Sequence, residues 1–281
     1  MKHLTDSVKP LDGTVGKALV MLDLVASFER PVRFSEILSK SAYPKATVYR
    51  LLQTLSNQSM LDYNAQTATY IPGIRLVRLA HSAWRQSALA PIARPILDDL
   101  ADALGETLHL AQMDDGHVLY VDKRNAEKPV EMFSSAGKTG PGYCTGVGKA
   151  LLAFMPEKEQ ARALMRQSFH KYTAATLADL PALKAELLEI ASIGMAFDRE
   201  EHEPGIICVA VPILNGLNHA IGALSLTSTT THHSLSSIER FAPKLQEAAR
   251  KISDAAKNWQ FPTYRKSYVP GNFNQCQKTI R

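Results

Sequence analysis

Residues 194–214 read GMAFDREEHEPGIICVAVPIL. Within it, Asp198, Glu200, Glu201, His202, Glu203 and Cys208 crowd six chemically capable side chains into eleven positions. A metal site needs ligands at a fixed spacing, and His202 has neither an HxxxH nor an HxxE partner on one helix face. A thiol hydrolase needs a nucleophile beside a base. Cys208 and His202 stand six residues apart across Pro204-Gly205, which fixes no geometry between them. Three readings follow from the residues: a metal set completed by His109, His232 or His233, a Cys–His pair, or a solvated acidic loop.

A second stretch, GKTGPGYCTGVGKALL (137–152), invites a phosphate-loop reading. Ala150 stands where GxxxxGK[ST] requires Ser or Thr, and no strand–GxGxxG–helix register with a following acid is present. What survives is a loop whose amides stand at the N-terminus of a helix over 147–154, an arrangement that favours a small anion such as a carboxylate.

The elements that must position these residues follow from periodicity. Helical spacing runs through 15–26, with Thr14 as N-cap, then through FSEILSKS opening at Ser35, with Ile37 and Leu38 inward. A third helix follows Pro44, with Val48, Leu51, Leu52 and Leu55 inward and Lys45, Thr47, Tyr49, Arg50 and Gln53 outward. Two helices joined by a short turn, followed by a hairpin around NAQT, make a winged helix-turn-helix over residues 1–73. Lys45, Thr47, Tyr49 and Arg50, with Arg33 and Ser35 at the first helix, are the candidate DNA contacts: Arg and Lys suit guanine edges, and the hydroxyls suit phosphate. Charge agrees. Residues 1–90 hold 11 Lys or Arg against 6 Asp or Glu, while the remainder is balanced at 21 of each, so the whole excess of +5 lies in the first third.

Residues 74–90 read as a linker helix whose Leu76–Trp84 stripe suits contact with another subunit. From 91 to 259 the texture becomes α+β. A helix stopped by Gly105 leads to a hairpin turning at Asp115-Gly116 and a strand entering the glycine loop. Helices over 157–167 and 179–193, three more strands and a last helix over 235–258 follow. Residues 260–281 carry no periodic pattern and read as a disordered basic tail. Three widely spaced cysteines (Cys144, Cys208, Cys276), no 18-residue apolar run and no signal-like start suggest a cytoplasmic chain with reduced thiols and no membrane partner.

These residues resemble the bacterial IclR (isocitrate lyase regulator) family over about 250 positions. The match runs through VGKALVMLDLVA, FSEILSKSAYPKATVYRLLQTLSNQSML, YIPGIRLVRLA and GKALLAF, and through Gly194, Asp198, Glu201, Cys208 and Ala210 at the signature spacings. The resemblance implies a two-domain α+β chain: a winged helix-turn-helix, a linker helix and a GAF-like effector domain with an antiparallel sheet. It implies a non-enzymatic, ligand-responsive regulator without cofactor or metal, taken here as a repressor of a catabolic operon. Such a protein binds double-stranded operator DNA as a homodimer or homotetramer and senses a small carboxylate, of which a sugar acid is the candidate. In this reading Gly146 and Val147 offer amides to the carboxylate, and Asp198, Ile206, Cys208, Ser225 and Thr227 line the rest, shaped by Met132, Pro141 and Tyr143. Val147 replaces the small residue usual in that loop. The alternatives from other classes are a metal-responsive regulator and a sensor or enzyme domain whose helix-turn-helix binds only protein.

Overall fold

The computed structural model describes residues 13–87, 89–127 and 132–257, and its contacts divide the chain into two compact units that meet between Gln86 and Ser87. Each is described by itself. The tail over 260–281 lies outside the described residues.

The first unit holds α1 (Gly13–Ala26), β1 (Val32–Arg33), α2 (Phe34–Lys40), α3 (Lys45–Asn57), β2 (Leu61–Asn64), β3 (Thr69–Pro72) and α4 (Ile74–Ser87). Val48, Leu51, Leu52 and Leu55 recur at helical spacing on α3 and are buried against Met21, Val25, Ile37 and Leu61. Two expected caps differ. Thr14 lies inside α1. Helix α2 opens one residue earlier than expected, at Phe34, because Glu36 reaches back to accept the Arg33 N–H at 3.0 Å and also binds Arg30. That leaves Ser35 inside the helix and exposed.

The wing is a three-stranded antiparallel sheet in the order β1-β3-β2. Its turn is held by Asn64 Oδ1, which accepts the N–H groups of Gln66 and Thr67. The two-residue strand β1 was not anticipated. The start of α4 is tied to the foot of the wing: Gly73 N–H bonds Met60 O, Arg75 N–H bonds Ser59 O, and the Arg75 guanidinium reaches both Gln58 oxygens. Farther along, Leu76 packs on the core of this unit, while Ile74, Val77 and Leu79 stay exposed.

The second unit begins with α5 (Ala90–Leu104), closed by Gly105 in the left-handed region. The hairpin β4 (Thr107–Asp114) and β5 (His117–Arg124) follows, then β6 (Thr139–Pro141), α6 (Gly146–Ala153), α7 (Glu157–Leu164), α8 (Leu180–Ile193), β7 (Ala196–Arg199), β8 (Ile206–Leu214), β9 (Ala220–Thr229), α9 (Leu235–Glu239) and α10 (Ala242–Ala255). The six strands form one antiparallel sheet in the order β6-β5-β4-β9-β8-β7. Alternation along β8 and β9 sends Val209, Val211, Leu224 and Leu226 to one face, and Cys208, Ala210, Ser225 and Thr227 to the other, where α6 packs.

Two expectations are corrected. The strand read into the glycine loop falls partly on residues outside the description, while Met132 and Phe133 belong to no strand and β6 begins later, at Thr139. The single helix over 235–258 is two, because Pro243 has no N–H for the Glu239 carbonyl, and α9 ends there. Among the described residues no helix is long and apolar enough to cross a membrane.

Candidate functional site

Strand register assembles the site in the second unit. Asp198 pairs with Cys208 and Cys208 with Thr227, while Ala210 pairs with Ser225 and Ser225 with His109. These rows share the face covered by α6, and the helix begins directly above them. A Cβ on Gly146 would fall within 3.0 Å of Cys208 Sγ, closer than real Cβ atoms approach, so only glycine lets the helix start that low. Thr145 caps α6 by accepting the Gly148 N–H at 3.3 Å, and Lys149 N–H bonds the Thr145 carbonyl. The Gly146 and Val147 amides precede the first intrahelical bond; the Gly146 N–H is directed at Cys208 Sγ, a weak acceptor, and the Val147 N–H stays open.

Below them lies an inner chamber of about 30 Å³ lined by Met132, Gly146, Val147, Asp198, Ile206, Cys208, Ser225 and Thr227, eight of the nine residues expected at an effector site. The ninth, Tyr143, is buried elsewhere. Its hydroxyl donates to the His170 carbonyl at 2.6 Å and its ring packs against Phe169, so it supports the glycine loop from beneath. Thr145 also lines the chamber, as do six residues not assigned to the site from sequence: His109, Tyr120, Phe133, Ser134, His202 and Glu203. His109 is bonded on both ring nitrogens, to Ser134 Oγ at 2.7 Å and Thr227 Oγ1 at 3.2 Å. Burial, then the nearby Lys123 charge, pushes its pKa down to about 3, so it stays neutral. The Ser225 hydroxyl has no hydrogen-bond partner among the described residues.

The acidic stretch is anchored, not solvated. Asp198 Oδ1 accepts the Glu201 N–H at 2.7 Å, and Thr173 and Thr176 hydroxyls donate to the Glu200 and Glu201 carbonyls. Lys149, fully buried on α6, bonds Glu201 at 2.5 Å and Glu186 at 3.1 Å, and Arg199 also bonds Glu186. Asp198, buried beside this cluster, has its pKa pushed up to about 7, first by burial and also by the Glu201 charge. Burial likewise raises the Cys208 thiol, which suits a pocket wall and not a nucleophile.

Among the described residues no group of three His, Cys, Asp or Glu could hold a metal. The set proposed around His202 and Glu203 is not assembled, since His109 is spent on Ser134 and Thr227, and His233 on Glu106 and Ser237. A larger outer cavity, about 420 Å³ and open to solvent, adjoins the chamber. It includes Pro141 and Tyr172, and the two cavities share Phe133, His202 and Glu203.

In the first unit, α3 presents Lys45, Tyr49 and Arg50 on its exposed face, with Arg33 and Ser35 exposed at α2. Thr47, expected outward, is half-buried. The Tyr49 ring leans on Phe34 at 6.3 Å.

Comparison with known proteins agrees with both units. The IclR helix-turn-helix domain matches residues 14–65, and the bacterial transcriptional regulator IclR C-terminal domain matches residues 81–254. The chain is 30% identical over 246 residues to the HTH-type transcriptional regulator XynR of Escherichia coli K12, covering 88% of this chain and 98% of that protein. It is 29% identical over 225 residues to the HTH-type transcriptional regulator KdgR of the same organism, covering 80% and 86%. The crystal structure of Thermotoga maritima IclR superposes with a TM-score of 0.68 at 31% identity, covering 86% of this chain and 97% of that one. The chain belongs to the IclR family of bacterial transcriptional regulators, as a DNA-binding protein and not an enzyme.

Proposed function

We propose that this regulator represses a catabolic operon by binding operator DNA through α3 and releases it on sensing a small carboxylate in the chamber below α6. The single observation that carries the effector half is the open Val147 amide, beside a Gly146 amide held only by the weak Cys208 acceptor, at a capped helix N-terminus over a buried chamber. In this reading the two amides take the carboxylate, and Ser225 and Thr227, with the neutral His109, take hydroxyl or keto groups. The chamber as it stands holds about one water. A six-carbon sugar acid therefore keeps only its carboxylate and adjoining 2-keto group inside, within reach of Ser225 and Thr227, and its remainder extends past Phe133 into the outer cavity. We place the organisation at residues 1–73 for the winged domain, 74–90 for the linker and 91–259 for the effector domain. The exposed Ile74, Val77 and Leu79 on α4 fit burial by a second copy in a homodimer or dimer of dimers.

The test is calorimetric titration of the full chain with pyruvate, 2-keto-3-deoxygluconate and benzoate. Sugar-acid binding that weakens about fivefold in Ser225→Ala, near the ~1 kcal/mol of one neutral hydrogen bond, supports the polar-effector reading. Binding of benzoate alone sinks it. For the DNA half, Arg50→Ala is expected to weaken operator binding in a mobility shift by about 1–3 kcal/mol while leaving the fold intact. An unchanged shift removes Arg50 from the contact surface.

A further inference from the structure

The described wall of the chamber contains no Lys or Arg. Its one buried acid, Asp198, is 6% exposed and uses one oxygen to accept the Glu201 N–H; Oδ2 has no partner among the described residues. The charges around it are already balanced without it. Lys149 and Arg199 are taken up by Glu186 and Glu201. Of the other titratable groups near Asp198, only the His202 imidazole, 3.7 Å from Glu203, favours its ionised form. Those groups are Cys208 on β8, Cys144 ahead of α6, Tyr120 on β5, and His202 and Glu203 in the loop beyond β7. The first amides of α6, at Gly146 and Val147, line the same chamber as this acid. An incoming carboxylate thus meets a second carboxyl group in a confined space whose described wall has no Lys or Arg, and two such groups do not both stay ionised.

We propose that Asp198 enters the effector complex as a carboxylic acid, donating its hydrogen to the effector's carboxylate, so that binding above neutral pH takes up one proton. The inference rests on the carboxylate reading of the chamber and assigns Asp198 the part of hydrogen-bond donor. The sign follows from the free protein. Asp198 titrates near pH 7, so below that the acid form is already present and affinity is flat. Above it, each binding event must first restore the proton, and affinity falls about tenfold per pH unit. The proton comes from solvent and stays between the two carboxyl groups.

The experiment is calorimetry of the full chain with pyruvate and 2-keto-3-deoxygluconate between about pH 6 and 8.5, in buffers of different ionisation heat, which counts protons directly. The expected result is a dissociation constant rising about tenfold per unit above neutrality, with uptake approaching one proton. In Asp198→Asn the amide N–H donates without titrating and its oxygen still accepts from Glu201, so the slope vanishes. Wild-type affinity that is flat with pH, without proton uptake, overturns the proposal while leaving the carboxylate site standing. So does a folded Asp198→Asn protein that loses binding at every pH, because Asp198 would then be an acceptor. If that variant does not fold, the wild-type proton count decides alone. If neither acid binds at any pH, the carboxylate reading itself falls, and this inference with it.

Discussion

Lys149→Met is expected to destabilise the effector unit by about 3–5 kcal/mol, the cost of leaving a buried charge without its partner. Lys149 has no exposed surface and Glu201 has 3%, so the Glu201 carboxylate would be stranded where water does not reach. Its Oε2 already lacks a partner, and the second cation within reach, Arg199 at 4.0 Å, is shared with Glu186 and half-exposed, so it replaces the ammonium only in part. For a unit of this size the loss lowers the melting temperature by on the order of 10 °C. Adding Glu201→Gln to the same chain is expected to recover part of that loss, because the stranded charge goes with the partner. Thermal unfolding of the single and double variants checks both statements. A single variant melting within about 1 kcal/mol of wild type would show that the ion pair contributes nothing net.

Gly148→Ala carries the second large effect. A Cβ there would lie within 3.0 Å of the Gly142 carbonyl and Cα, and of Thr145 Oγ1. The Gly142 backbone cannot yield as a flexible side chain would, and Thr145 Oγ1 is held as the helix cap, so the turn over 142–148 must move, at a cost of about 3 kcal/mol. Thr145 loses its hold on the Gly148 N–H, and the amides of Gly146 and Val147 shift with it. Carboxylate affinity is expected to fall about a hundredfold, the equivalent of losing charge-assisted bonds worth about 3 kcal/mol together. Gly216→Ala is the control. A Cβ there meets nothing within 4 Å, and that variant is expected to melt and bind as wild type does. Equal behaviour of the two variants would sink the argument from close approach.

The helical skeleton was legible because burial leaves a periodic imprint. Val48, Leu51, Leu52 and Leu55 mark α3 without any knowledge of what covers them. Boundaries were less legible where a distant side chain supplies the cap, as Glu36 does for Arg33, or where a strand such as β1 is too short to alternate. The site was legible on strands and blurred in loops. Asp198, Cys208, Ser225 and Thr227 fall on one face by alternation, and His109 joins them through its pairing with Ser225, which periodicity within β4 alone does not reveal. Tyr143 misled because adjacency to a glycine loop says nothing about which side of it a ring occupies. The pairing of Lys149 with Glu201 bridges 52 positions, and only the packing of α6 brings the two together.

The ties between Arg75, Gln58 and the foot of the wing make α4 an arm fixed at one end to the DNA-facing unit. Its 14 residues give a length of about 21 Å at 1.5 Å per residue. A swing of about 10° over that length displaces the far end by about 4 Å, more than the ~3.4 Å between successive bases on one strand. Because the ties hold the arm to the foot of the wing, a rotation of α4 is passed to the rest of its own unit as a displacement of that size. Sensitivity here is a matter of leverage: lengthening α4 by one helical turn, about 5.4 Å, would enlarge the same displacement by about a quarter.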